Sequence, residues 1–152
     1  MNHSRRKAIK AGGGALAMLL AAGFIKPGDL YAQSADAFAM KSLAEALNAL
    51  GAKSPAASGS IIIKAPVIAE NGAVVPVAVE SKLPGTESIA VLVEKNPTPL
   101  VASFGIPEGT AGIVSTRVKM GQTSDVYVLV KAEGKYYMAK QEIKITLGGC
   151  GG

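Results

Sequence analysis

The 152-residue chain has no tryptophan, one histidine (His3) and one cysteine (Cys150), and Phe and Tyr together make up 5% of it. These absences exclude a great deal. A Ser-His-Asp or Cys-His centre needs an imidazole placed beside its nucleophile. His3 belongs to the leading segment discussed below, so the remainder has no histidine to offer. Zinc and haem sites built on histidine fall with it. No intrachain disulfide can form from one cysteine, so its thiol is either free and reactive or joined to another molecule. Lys and Arg exceed Asp and Glu by five, but Arg5, Arg6, Lys7, Lys10 and Lys26 against Asp29 and Asp36 give residues 1–37 a net +3, leaving +2 for the rest. That weak positive balance makes no case for nucleic acid. Gly105, Gly109 and Gly112 lack the Gly-Lys-Ser/Thr ending and the following helix of a phosphate loop.

What is present begins with a basic stretch, Ser4-Arg5-Arg6-Lys7-Ala8-Ile9-Lys10, followed by an apolar run over Ala11–Ile25 that Gly12, Gly13, Gly14 and Gly23 dilute. The run is too short and too glycine-rich for a stable membrane span. A basic head, an apolar middle and small residues beyond it form the layout of an export signal. Arg5-Arg6 with Ile9 and Lys10 resembles the twin-arginine pattern, although Ala8 stands where Phe is usual. Ala35-Asp36-Ala37 and Leu30-Tyr31-Ala32 are candidate cleavage sites. The first divides the chain into a signal over 1–37, a folded domain over 38–147 and a tail over 148–152. This signal predicts folded export to the periplasm, an oxidising compartment.

Met40, Leu43, Ala44, Leu47 and Leu50 recur at helical spacing and predict a short helix over 36–50, with Gly51 as its C′ residue. Beyond a polar loop over 53–59 the period changes to two. Strands are expected over 61–63, 73–80, 89–94, 100–104, 113–120, 126–132 and 136–147, with Asn71-Gly72, Pro84-Gly85, Pro97, Pro99, Pro107-Glu108-Gly109, Gly121-Gln122 and Glu133-Gly134 between them. About seven short strands at near-regular spacing predict a mainly β fold, an immunoglobulin-like β-sandwich with a short N-terminal helix. Its core must be aliphatic, because the intersheet cystine and tryptophan of antibody domains are absent. Pro76 within a strand predicts a sheet edge or a bulge at that point.

The one thiol lies in Gly148-Gly149-Cys150-Gly151-Gly152. Glycine loses more conformational entropy on ordering than any other residue, so a flexible C-terminal tail is expected. Extended, the three residues from Leu147 to Cys150 reach roughly 10–11 Å. No Lys, Arg or His adjoins Cys150, so nothing local lowers its pKa. A catalytic thiol needs a fixed base and a pocket, and the tail supplies neither. A carrier thiol needs exposure, flexibility and a thin chain that can enter a partner's active site. A crosslinking role, with the tail joining two copies, is the competing reading.

A twin-arginine signal, a small β-rich domain and Gly148 through Gly152 together resemble the SoxY family, carrier subunits of periplasmic sulfur-oxidising (Sox) systems. The resemblance extends over essentially the whole chain. It implies that Cys150 is the covalent sulfur attachment site, that Gly148, Gly149, Gly151 and Gly152 form its flexible tail, and that Arg5 and Arg6 serve export. It implies no catalytic residue, metal or cofactor in the chain, hence a non-enzymatic subunit. The implied partners are a SoxZ-like subunit in a heterodimer, a haem c enzyme that couples thiosulfate to the thiol, a hydrolase that releases sulfate, and in some organisms a molybdenum sulfane dehydrogenase.

Overall fold

The structure, a computed structural model, describes residues 36–146. Ser42 opens the helix α1 (Leu43–Ala49): its side chain accepts from the Glu45 amide at 3.2 Å, and the Glu45 carboxylate accepts from the Ser42 amide at the same distance. This reciprocal pair satisfies two amides that a helix N-terminus leaves bare. At the other end Gly51 takes φ +79°, its amide donates to Asn48 and that of Ala52 donates to Leu47. The left-handed residue and paired bonds make Gly51 the C′ residue that the sequence predicts.

Among the described residues nine strands follow: β1 (Ala56–Ala57), β2 (Ile61–Lys64), β3 (Ile68–Ala69), β4 (Val75–Ser81), β5 (Thr86–Val93), β6 (Leu100–Gly105), β7 (Ile113–Val118), β8 (Ser124–Ala132) and β9 (Lys135–Ile145). The seven longer ones match the seven expected. β1 and β3 are two-residue parallel pairings with β9, in stretches where no strand was expected. The larger sheet runs β1-β9-β8-β5-β6 with β3 also on β9, and the smaller runs β2-β4-β7. Their inner faces make an immunoglobulin-like sandwich.

Period-two alternation dictates which side chains meet. Val75, Val77 and Val79 of β4 and Val118 of β7 face Ile89, Val91, Val93, Val126, Val128, Val130 and Ile143 of the larger sheet. The core is aliphatic, as the missing tryptophan and cystine require, and each such side chain contributes about 1.5–3 kcal/mol on burial. The opposite face of the larger sheet is covered as well. Ala90, Leu92, Leu100 and Leu129 pack beneath α1, and the Tyr136 hydroxyl donates to the Leu50 carbonyl at 2.7 Å. Cover on both faces explains why β5 reads as an unbroken apolar run, Ile89-Ala90-Val91-Leu92-Val93.

Two local expectations are corrected or refined. The predicted stripe puts Ala44 on the apolar face, but Ala44 is exposed and Ala46 is the buried helical residue. The helix starts at Leu43, not at Asp36, and meets the sheet through this small side chain, with Leu43 and Leu47 flanking it. Pro76 sits in β4, the middle strand of its sheet. The β2 register ends at the Lys64–Ala78 pair, so at Pro76 only β7 is alongside, and the strand is locally an edge.

Candidate functional site

The residues singled out by the sequence, Cys150, Gly148, Gly149, Gly151, Gly152, Arg5 and Arg6, all lie outside the described residues. The base from which the chain runs on to Cys150 is described. It is the end of β9, stitched on one side to residues 65–72. The Gln141 side-chain amide donates to the Ala65 carbonyl at 3.0 Å, the Lys144 amide to Val67 at 2.9 Å and the Thr146 amide to Ala69 at 3.1 Å. The Ile145 amide donates to the Thr123 hydroxyl at 2.9 Å. Ile143 is fully buried in the core and Ile145 packs against it, while Glu142, Lys144 and Thr146 are exposed, the alternation that the sequence predicts.

Gly72 closes this clamp. Its carbonyl accepts from the Met120 amide at 2.7 Å. A Cβ at position 72 would stand 2.3 Å from the Met120 carbonyl oxygen and 3.2 Å from the Ile145 side chain. Only glycine lets these three segments approach so closely. The last described residues of β9 are therefore held on two sides, by main-chain bonds to Val67 and Ala69 and by the Thr123 hydroxyl. Position 146 is a fixed anchor, and Cys150 is four residues further along the chain.

Ion pairs join neighbouring strands in both sheets. Lys140 pairs with Asp125 at 2.7 Å, which holds its ammonium above the usual lysine value, and the same ammonium sits 5.7 Å from the centre of the Tyr127 ring. Lys64 pairs with Glu80 at 2.9 Å, and its hydrogen bond holds that carboxyl below the usual range. Among the described residues no three His, Cys, Asp or Glu side chains are placed to hold a metal ion. No helix among them is long and apolar enough to cross a membrane. A hollow of about 510 Å³ beside Tyr127, Met138 and Lys140, and one of about 460 Å³ beside Lys53, Lys135 and Tyr137, draw no lining residue from 143–146.

The family model described as "Sulfur oxidation protein SoxY" matches residues 46–150, a stretch that runs from α1 to Cys150. The chain belongs to the SoxY family. Its role therefore lies in sulfur oxidation. Among solved structures, the sulfur carrier protein SoxY from Chlorobium limicola f thiosulfatophilum is 40% identical, with a TM-score of 0.64 over 72% of this chain and 96% of that one. No curated protein matches the chain.

Sequence reasoning missed the 65–74 segment as part of this site. β3 is two residues long and pairs in parallel, so it leaves no periodic trace in the sequence. Asn71-Gly72 was legible as a turn. That Gly72 is also the contact that locks the end of β9 becomes visible only in three dimensions.

Proposed function

We propose that the chain is a non-catalytic, covalent carrier of sulfur intermediates in thiosulfate oxidation, and that the reactive atom is Cys150 Sγ. The observation that carries this reading is that the SoxY match runs through the chain's one cysteine, four residues beyond an anchored strand end. In the first step the Cys150 thiol and thiosulfate form an S–S bond, giving a cysteine S-thiosulfonate. One proton is released, and two electrons pass to a haem c partner. In the second step a hydrolase adds water across the terminal S–S bond, and sulfate leaves with a cysteine persulfide and protons as the other products. A molybdenum partner, where present, oxidises the remaining sulfane sulfur. Gly148, Gly149, Gly151 and Gly152 give Cys150 the slender, mobile setting that visits to several active sites require.

The chain works beside a SoxZ-like subunit, and Arg5 and Arg6 direct folded export to the periplasm by the twin-arginine route. Of the two cleavage sites, burial of Ala37 in the cluster beneath α1 favours the one after Ala32, which keeps Ala37 in the mature fold.

The test replaces Cys150 by Ser. Cells carrying Cys150→Ser are expected to stop converting thiosulfate to sulfate, while the purified variant keeps its fold and its partner subunit. Intact mass of the parental protein from thiosulfate-grown cells should show reductant-labile sulfur additions that the variant lacks. Continued sulfate production by the variant would overturn the proposal, as would a parental thiol found only as a homodisulfide.

A further inference from the structure

Large apolar side chains grouped together in water mark places where other molecules dock, whereas single ones do not. Three of the strongly exposed ones belong to one short segment: Val67 at 64%, Ile68 at 57% and Val74 at 50%. This is the segment that clamps the end of β9. Val67 and Ala69 accept the Lys144 and Thr146 amides, and the turn at Asn71–Val74 brings Gly72 against Ile145. The apolar side chains thus belong to the segment that runs alongside the base of the stretch leading to Cys150.

Chain length decides what can occupy it. Cys150 lies four positions beyond Thr146, a reach of roughly 13–14 Å when extended. An enzyme that takes the thiol into its active site must bring the mouth of that site within this distance of Thr146. A standard interface buries about 800 Å² on each partner, an area whose radius is roughly 16 Å when circular. Such an enzyme cannot act on Cys150 without covering the surface around the strand end.

We infer that Val67, Ile68 and Val74 form the docking surface for the enzymes that modify Cys150. The inference rests on the carrier reading above. It adds a recognition element in the folded domain to the thiol on the tail. Each successive enzyme uses the same surface, so only one is bound at a time.

The experiment uses the full chain co-purified with its second subunit, and the purified haem c enzyme that couples thiosulfate to Cys150. Val67→Ser/Ile68→Ser and, separately, Val74→Ser are compared with Ile113→Ser. Ile113 is 62% exposed and lies five residues along β7 from Val118, which pairs with Val75. That places the control roughly 17 Å from the clamp end of the sheet. Intact mass follows sulfur loading, and the rate of alkylation by iodoacetamide reports free access to the thiol. The double variant should raise KM for the complex about tenfold with kcat within about twofold, the scale of a lost apolar anchor. Val74→Ser should raise KM less, in the same direction. Alkylation rate and heterodimer should be unchanged in both, and Ile113→Ser should alter nothing. An unchanged KM, an equal rise in Ile113→Ser, or loss of the second subunit would overturn the inference. If the parental chain loads sulfur normally and the variants do too, only this inference fails. If the parental chain never loads sulfur at Cys150, the carrier reading fails and takes this inference with it.

Discussion

Glu87 shows how a single surface residue ties the fold together. One carboxylate oxygen pairs with Lys131 of β8 at 3.0 Å, and the other accepts from the Gly134 amide at 2.7 Å, at the turn into β9. The Lys131 hydrogen bond, then the Gly134 amide, hold the Glu87 carboxyl below its ordinary range, and the same pairing raises Lys131. A carboxyl lowered in the folded state contributes stability that is fully present above its unfolded value, about 4.3. That contribution is lost as pH falls through the lowered folded value. Both side chains are partly in water, so the pair contributes no more than an exposed bridge does. Glu87→Gln should therefore cost about 0.5–1 kcal/mol at neutral pH in urea unfolding. The gap should close at acid pH, below the lowered folded value, where the parental carboxyl is protonated as well. A gap of equal size at both pH values would show that charge is not the cause.

Elements in this molecule differ in how plainly they are written. The long strands are legible because alternation along β4 and β8 maps onto one buried face: Val75, Val77 and Val79, then Val126, Val128 and Val130. β1 was hidden, since Ala56 and Ala57 are both exposed and form a ladder with β9 that side-chain pattern does not encode. α1 was half legible. Its apolar spacing appears from Met40 onward, but its start is set by Ser42 and Glu45, which cap each other, so the residues before Leu43 stay outside the helix. The cap also matters for packing, because α1 covers Leu92 and Leu129 on the outer face of the larger sheet. Ser42→Ala should lower stability by about 1 kcal/mol, read from the urea midpoint at constant m-value. A midpoint that does not move would mean that tertiary packing alone holds the helix in place.

At the scale of the whole molecule, a rigid domain ends in a clamped strand, and a glycine-bracketed thiol lies four residues beyond. The carrier proposal takes the thiol from the sequence, where it is one cysteine among glycines; the clamp was not legible there, because hydrogen bonds to main-chain carbonyls of residues 65–72 build it. Under the carrier proposal the domain fixes where the thiol can go, and the glycines decide how freely it goes there. Replacing Gly148 and Gly149 by Val sets two effects against each other. Valine loses less backbone entropy on ordering, which favours entry into an active site by about 0.4–1 kcal/mol per residue. Its branched side chain also fills space in a passage matched to bare backbone, and overpacking costs about 1–3 kcal/mol per site. The steric effect is the larger, so the double variant should pass sulfur at least about threefold more slowly with each partner enzyme, at unchanged melting temperature. Alkylation of Cys150 by iodoacetamide, which enters no passage, should keep its parental rate. Full turnover with every partner would show that nothing narrow surrounds the segment, and the glycines would then need another explanation.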